Sequence, residues 1–248
     1  MSERKQPVLG VLGGGQLARM LALAAAPLGI KTMVVDSAED ACAGQVAPLV
    51  VANWTDYAAL EAFAAQVDAV TFDFENVPAE TARWLAARVA VFPPPQALAI
   101  AQDRLAEKTL FRECSLQTPE FMAVDSRAEL DQALQKIGAP AILKTRRLGY
   151  DGKGQFRLKD VADADAAWNA LGEQASTLGL ILEAFVPFER ELSVIAVRGR
   201  DGDFRTWPLT RNWHVDGVLS MSLAPAPDID DLQQRATALA RTLAQRLE

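Results

Sequence analysis

The sequence is short of several features that would place it in a particular class of protein. Only two of its 248 residues are cysteine, Cys42 and Cys114, and they lie far apart, so neither a disulfide framework nor a metal-binding spacing is available. The longest apolar stretch, residues 20–30, contains Pro27 and is too short to cross a bilayer. We therefore expect a protein of the reducing cytoplasm without a membrane partner.

Basic residues are also too few for a protein whose main partner is nucleic acid. Lysine and arginine together number 25 against 32 acidic residues, which gives a formal net charge of −7. That balance disfavours nucleic acid and anionic membranes as partners. With 50% hydrophobic and 23% charged residues, the composition predicts a soluble globular protein of one large or two modest domains.

The first part of the chain alternates short apolar runs with helical patterns. This alternation predicts an α/β fold with a doubly wound parallel sheet, which binds ligands at the carboxyl ends of its strands. The predicted strands are residues 8–12, 32–35, 49–51, 69–74 and 89–92, and the predicted helices are residues 16–28, 57–66 and 79–88. Three consecutive prolines, 93–95, suggest a boundary between domains 1–95 and 96–248.

The second part has a different pattern, which predicts an α+β domain with antiparallel strands. The predicted helices are residues 96–114, 127–137, 161–171 and 229–247. The predicted strands are residues 121–123, 141–143, 155–158, 180–186, 191–197, 205–209 and 218–222. Asn212, Trp213 and His214 fall between the last two predicted strands.

A glycine turn after the first strand fits the dinucleotide-binding fingerprint. Gly13, Gly15 and Ala18 have the required spacing, and Asp36 lies where a partner for a ribose hydroxyl is expected. The doubly wound part stops near residue 95, and no residues suited to hydride transfer follow. Such a turn also binds the phosphate of a sugar phosphate or serves a purely structural purpose, so three interpretations stay open.

A second glycine-rich segment, residues 142–156, has local positive charge in an acidic chain. It contains Gly149, Gly152 and Gly154 together with Lys144, Arg146, Arg147 and Lys153. Glycines let a backbone approach phosphate oxygens closely, and successive free N–H groups form an anion-binding concavity. The segment therefore predicts a polyphosphate site, with an ordinary basic β-hairpin as the alternative.

The order of these motifs resembles the ATP-grasp superfamily and, within it, the N5-carboxyaminoimidazole ribonucleotide synthetases. The resemblance extends from Val8 to about Leu247, and residues 149–155, Gly-Tyr-Asp-Gly-Lys-Gly-Gln, are its most specific part. The other matching motifs are Gly13 to Leu17, Phe74 to Val77, Asp103-Arg104 with Lys108, Lys144, and Pro208 to Gly217.

The resemblance implies a Rossmann-like pre-ATP-grasp domain followed by an ATP-grasp domain. It implies an enzyme that joins ATP, bicarbonate and 5-aminoimidazole ribonucleotide through carboxyphosphate, in purine biosynthesis, and that forms a homodimer when full length. It also implies Mg²⁺ as a cofactor, with ligands expected beyond Glu248. The chain is accordingly expected to be an N-terminal fragment with an incomplete ATP-grasp domain, no metal ligands of its own and little activity alone.

The resemblance also implies individual site residues. Asp151 would orient or deprotonate the imidazole amine, and Lys153 would hold bicarbonate, although the family usually has arginine at that position. The residues implied for ATP are Arg104, Lys144, Gly149, Tyr150, Asp151, Gly152, Lys153, Gly154, Gln155, Glu183, Ala184, Phe185, Val186, Glu191 and His214. Those implied for the aminoimidazole ribonucleotide are Gly15, Gln16, Leu17 and Glu75.

Two other functions fit the same sequence. One is an ATP-grasp ligase that acts on a different amine or acid, and the other is a non-catalytic nucleotide-binding module. Substrate-dependent release of ADP separates these possibilities, because only the ligases turn over and each requires its own amine.

Overall fold

The computed structural model describes residues 6–149, 152–229 and 231–247. They belong to two compact units that divide between Ala101 and Gln102, one helix beyond the three prolines. The predicted helix over residues 96–114 is therefore two helices, which end and begin on either side of this division.

The first unit has a five-stranded parallel sheet in the order β3-β2-β1-β4-β5. Its strands are β1 (Val8–Leu12), β2 (Lys31–Asp36), β3 (Leu49–Val51), β4 (Ala69–Phe72) and β5 (Ala90–Val91). Its helices are α1 (Gln16–Ala25), α2 (Tyr57–Ala64), α3 (Ala79–Ala86) and α4 (Pro95–Ala101). Short 3-10 turns lie at Ala26–Leu28 and Cys42–Gln45. The predicted doubly wound α/β fold is confirmed.

Both faces of this sheet are buried, as its nearly continuous apolar strands require. Val11 and Val34 belong to the apolar cluster that includes α1, whereas Leu12 and Val35 belong to the cluster on the other face with α2 and α3. The chain runs from β1 through β2 to β3 and then returns to β4 on the other side of β1. The strand order therefore reverses between β1 and β4, where open α/β sheets bind their ligands.

The second unit contains antiparallel sheets and the remaining helices. Its helices are α5 (Arg104–Glu113), α6 (Arg127–Ile137), α7 (Ala164–Leu171), α8 (Ala175–Leu178) and α9 (Leu232–Arg246). Its strands are β6 (Phe121–Val124), β7 (Ala141–Thr145), β8 (Gln155–Leu158), β9 (Leu180–Ala184), β10 (Glu191–Ser193), β11 (Ala196–Arg198), β12 (Phe204–Thr206), β13 (Thr210–Val215) and β14 (Val218–Leu223). The sheets are β6-β9-β7-β8, β10-β13-β14 and β11-β12.

The four-stranded sheet of this unit packs one face on the main core, and its other face carries charged as well as apolar residues. Leu143 of β7 and Leu182 of β9 pack against α6 and α7 in the main core. Because successive side chains of a strand point to opposite faces, Lys144 and Glu183 lie on the other face. This alternation places two charged residues together without disturbing the core.

The three-stranded sheet is far less buried. All six residues of β14 are exposed, and none of the residues of α9 is buried. The prediction that residues 212–214 connect two strands is wrong, because these residues lie within β13. Among the helices of the described part of the chain, none is long and apolar enough to cross a membrane.

Candidate functional site

The glycine-rich segment forms a loop between the adjacent strands β7 and β8. The N–H of Thr145, at the end of β7, donates to the carbonyl of Gly154 over 2.8 Å, which closes the base of the loop. Gly152 and Gly154 have φ angles of 75° and 68°, a region that favours glycine. Tyr150 and Asp151 lie outside the described residues. Gln155 begins β8 and pairs with Lys144.

Arg104 lies at this base because α5 begins there. The backbone N–H of Arg104 donates to the carbonyl of Arg146 over 3.0 Å, and its Nη2 donates to the carbonyl of Gly149 over 3.1 Å. The structure thus brings together three predicted ATP residues, Arg104, Gly149 and Gly154, on the β7–β8 loop and the helix beside it.

Asp103 fixes the start of α5 from a buried position. Its carboxylate accepts from the N–H of Leu105 over 2.9 Å and from Nε of Arg146 over 3.0 Å, so it caps the helix and ties it to the loop. Burial opposes its ionisation, but the Arg146 hydrogen bond and the Leu105 N–H outweigh burial and lower the pKa of Asp103. An Asp before a helical run signals a cap, but sequence alone did not reveal Arg146 as its partner.

Glu183 is paired with two lysines on the side of the sheet away from the main core. Its Oε2 lies 2.9 Å from Nζ of Lys144 and 3.4 Å from Nζ of Lys108, and the residue is only 4% exposed. Its Oε1 is also buried and has no hydrogen-bond partner among the described residues. Buried polar atoms are rarely left without a partner, so this oxygen is suited to accept from a ligand.

Lys108 was part of the sequence motif but received no predicted role. It lies one helical turn after Arg104 on α5, so both side chains share one side of the helix. Glu107, its neighbour, has a pKa raised mainly by burial and also by Glu183, against the opposing charges of Lys108 and Arg104. Lys108, Lys144 and Glu107 therefore lie close to Glu183 near the end of β9.

Ala184, Phe185 and Val186, predicted to bind ATP, lie at the end of β9 and directly after it. The N–H groups of Ala184 and Phe185 donate to the carbonyls of Glu120 and Pro140, over 2.8 and 3.1 Å. These two donors are therefore not available to a nucleobase. The guanidinium carbon of Arg157 lies 4.1 Å from the centroid of the Phe185 ring. The Val186 side chain is exposed.

Glu191 and His214 form a pair across neighbouring strands. β10 and β13 are antiparallel with Glu191 opposite Asn212, so His214 lies two residues further along on the same face. Nδ1 of His214 is 2.7 Å from Oε2 of Glu191. The turn that follows His214 contacts the glycine loop, because a Cβ on Gly152 would lie 3.3 Å from the carbonyl oxygen of Asp216.

We expect Gly154→Ala to damage the loop more than its backbone conformation alone predicts. A Cβ there would lie 2.6 Å from Oγ1 of Thr145, a residue only 2% exposed. We expect a loss of about 2–3 kcal/mol in the free energy of unfolding, and weaker ATP binding. Denaturant titration and calorimetry measure both.

Gly202→Ala is the matched control. Gly202 also has a positive φ, 86°, but a Cβ there meets nothing within 4 Å. This variant should lose only about 1 kcal/mol and keep its ATP affinity. Equal losses in the two variants would contradict the predicted clash with Thr145.

In the first unit, the glycine turn follows β1, and the N–H groups of Gly14 and Gly15 are already bonded to carboxylates. Gly15 N–H donates to Asp73 over 2.8 Å, and Ala18 N–H donates to the same carboxylate. Gly14 N–H donates to Asp36 over 2.7 Å. Asp73 follows β4 and thus occupies the start of α1, where a phosphate would otherwise bind.

This arrangement bears on the three interpretations of the N-terminal glycines. Asp36, the expected ribose partner of a dinucleotide, bonds to Gly14 and to the N–H of Ala38 over 2.8 Å. The turn is therefore stabilised by the protein's own carboxylates, which favours the structural interpretation over pyrophosphate binding. Sequence reasoning missed Asp73, although an acidic residue at the end of the strand beside β1 was a signal.

The residues predicted for the aminoimidazole ribonucleotide lie on this unit. Gln16 and Leu17 begin α1 and are exposed, and Leu17 is 62% exposed. Gly15 is the cap residue before them, and Glu75 lies in the exposed turn after β4. All four lie at the carboxyl ends of β1 and β4.

No set of metal ligands is formed by the described residues. Over residues 6–149, 152–229 and 231–247, no three His, Cys, Asp or Glu side chains are grouped so that they could hold a metal ion. The residues present therefore do not fit a Mg²⁺ site, and none of them is assigned to the ion.

Comparisons with known proteins agree with both units. The ATP-grasp domain matches residues 109–248, and the ribonucleotide synthetase preATP-grasp domain matches residues 7–102. The chain is 49% identical over 216 residues to the N5-carboxyaminoimidazole ribonucleotide synthase of Pseudomonas aeruginosa, a match that covers 87% of this chain and 59% of that protein. The resemblance predicted from the sequence is confirmed.

Two solved structures are similar over nearly the whole chain. The N5-carboxyaminoimidazole ribonucleotide synthetase of Thermus thermophilus has a TM-score of 0.89 at 48% identity, covering 96% of this chain and 64% of that one. The Aspergillus clavatus synthase in complex with ADP and 5-aminoimidazole ribonucleotide has a TM-score of 0.85 at 28% identity, covering 97% and 62%. The chain therefore spans about three fifths of the length of the proteins it matches.

Proposed function

Because the chain belongs to the ATP-grasp family, we propose that it carries the nucleotide-binding part of a carboxylating ligase. The reaction is the ATP-dependent carboxylation of 5-aminoimidazole ribonucleotide by bicarbonate, the activity that the names of its relatives indicate. The observation that supports a nucleotide site most directly is the buried carboxylate of Glu183, with one oxygen between two lysines and the other without a partner among the described residues.

In this proposal the second unit binds ATP. Oε1 of Glu183 accepts from the exocyclic amine of adenine, and the backbone of Val186 contacts the ring, since the N–H groups of Ala184 and Phe185 are engaged. Glu191, oriented by His214, accepts from the ribose hydroxyls. Lys144 and Arg104 balance the charge of the phosphates, which is the protein's main contribution to phosphoryl transfer.

The glycine loop covers the reacting groups. An oxygen of bicarbonate attacks the γ-phosphorus, ADP leaves, and carboxyphosphate results. The amine nitrogen then bonds to the carboxyl carbon and loses a proton, and phosphate leaves. We assign the orientation of the amine to Asp151 and the binding of bicarbonate to Lys153, whose single ammonium lacks the planar fork of arginine.

Gly15, Gln16, Leu17 and Glu75 bind the aminoimidazole ribonucleotide in this proposal. Since Asp73 already accepts from the N–H groups of Gly15 and Ala18, this segment contacts the ring and the ribose rather than the phosphate. A carboxylate at the start of α1 would repel a second anion at that point.

The test is ADP release by the full-length protein. We expect release to require both bicarbonate and 5-aminoimidazole ribonucleotide, and to yield the N5-carboxylated product with one ADP per product. ADP release that depends on a different amine would support another ATP-grasp ligase. ATP binding without any substrate-dependent release would support a non-catalytic module, and either result would refute the proposal.

The proposal also includes Mg²⁺ as the counter-ion of the ATP phosphates, a homodimer and a cytoplasmic location. Chelation of divalent ions should abolish ADP release by the full-length protein, because the phosphate charge is then not neutralised. Sedimentation of that protein measures the subunit number, and cell fractionation measures the location.

A further inference from the structure

Lys108 belongs to the candidate nucleotide site but has no role in the proposed reaction. Its ammonium lies 3.4 Å from Oε2 of Glu183. The ammonium of Lys144 lies closer to the same oxygen, at 2.9 Å. The Lys108 side chain is 17% exposed and that of Glu183 is 5% exposed. Burying a lysine and a carboxylate together costs desolvation free energy that their attraction often does not offset. Such a pair therefore suggests a function.

We propose that Lys108 is a positioning residue that holds the carboxylate of Glu183 so that the site prefers an adenine over a base with a carbonyl at the same place. This inference rests on the proposed binding of ATP. Both lysines contact Oε2, which leaves Oε1 buried and free among the described residues. A carboxylate oxygen only accepts, so a base that presents an amine is bound and one that presents a carbonyl is repelled.

Charge balance explains why two lysines are present. Lys144 alone would neutralise Glu183 and would then have little net charge to offer to a phosphate. With Lys108 the three side chains have a formal net charge of +1, which leaves positive charge near the nucleotide. Lys108 thus helps to balance the charge of Glu183, so that Lys144 can also balance the charge of a phosphate.

Asp103 sets the position of Lys108 along the helix. Asp103 caps α5 and bonds to Arg146, which fixes the first turn of the helix relative to β7. Lys108 lies one turn later and therefore reaches β9, where Glu183 lies. Because Lys108 and Glu183 are far apart in the sequence, no local motif reveals this pair.

The experiment compares ATP with inosine triphosphate, which carries a carbonyl where ATP carries the exocyclic amine. Dissociation constants and steady-state kinetics of the full-length protein are measured with each nucleotide. We expect Lys108→Met to weaken ATP binding about tenfold, while kcat at saturating ATP changes less. The ratio of the dissociation constants of inosine triphosphate and ATP should fall by a similar factor. Lys108→Arg should restore most of the preference.

Lys136→Met is the matched control, because Lys136 is an exposed lysine in the last turn of α6. The Lys136→Met variant should leave the dissociation constants of ATP and of inosine triphosphate unchanged. Thermal unfolding checks that each variant is folded, and Lys108→Gln, which keeps a polar side chain, replaces the methionine variant if the latter does not fold. Lys108→Gln is expected to show the same decrease in the preference for ATP over inosine triphosphate.

The outcomes separate the inference from the proposed function. An unchanged preference in folded Lys108→Met, or equal weakening of both nucleotides, would overturn the positioning role and leave ATP binding intact. A wild-type protein that binds neither nucleotide, or binds both equally, would instead refute the assignment of the adenine site to Glu183. A smaller preference for ATP over inosine triphosphate in Lys108→Met, together with a nearly wild-type preference in Lys108→Arg, supports the inference.

Discussion

Replacing Lys144 with methionine is expected to lower kcat/KM for ATP by about 10²–10³-fold in the full-length protein. The substitution keeps the length of the side chain but removes a cation that we assign to the phosphates. It also leaves buried Glu183 with Lys108 as its remaining charged partner among the described residues, at 3.4 Å. Initial rates at varied ATP concentration measure the effect.

A double-mutant cycle with Glu183→Gln shows where this loss arises. If Lys144 acts only by pairing with Glu183, then Lys144→Met should cost nothing further in the Glu183→Gln background. We expect a further loss of at least about tenfold there, because we propose that the lysine also neutralises the phosphates. Lys159→Met, at an exposed lysine after β8, is the control and should behave like the wild-type protein.

The second large effect is expected on stability. Asp103→Asn should lower the free energy of unfolding of the second unit by about 3 kcal/mol, since it leaves Arg146 without its buried partner. The loss should also weaken ATP binding, because Arg104 follows this cap directly. Denaturant titration gives the first quantity and calorimetry the second.

The effect of Asp103 should depend on pH in a defined direction. Burial alone would raise the pKa of Asp103, but Arg146 and the N–H groups of Leu105 and Ala106 lower it below the ordinary value. The stabilisation is therefore complete above the unfolded-state pKa of about 3.9 and disappears as the pH falls through the lower folded-state pKa. The difference between wild type and Asp103→Asn should shrink in acid.

A surface pair provides the comparison for this prediction. Asp131 pairs with Arg127 on α6, and both side chains are substantially exposed, by 51% and 32%. Asp131→Asn should cost less than about 1 kcal/mol at any pH, because water screens exposed pairs. A similar small cost for Asp103→Asn would show that the buried cap does not stabilise the unit.

The sequence was most informative where a pattern is local. The parallel sheet of the first unit follows from apolar strands separated by helical periods, and the β7–β8 loop follows from glycines between two short strands. β13 was missed because its residues are mostly polar, so pairing with β10 and with β14, which follows after only two residues, determines the strand rather than propensity.

The sequence provides candidate residues for the site but not the partners of those residues. The resemblance implied Arg104, Lys144, Glu183 and Glu191 as ATP residues, yet the bonds that orient such side chains join residues far apart in the chain. Asp103 with Arg146 is one such pair, and Lys108 with Glu183 is another. The backbone N–H groups of Ala184 and Phe185 donate to the carbonyls of Glu120 and Pro140, and sequence does not show which donors a neighbouring segment already uses.

β14 has a practical consequence for work with this chain in solution. It lies at the outer edge of its sheet, and its residues, Val-Leu-Ser-Met-Ser-Leu, include no charge, proline or glycine. Its apolar side chains are about half exposed, from 45% for Leu223 to 54% for Met221. Such an edge is a template for strand addition between copies, so concentrated preparations of this chain are open to aggregation at β14.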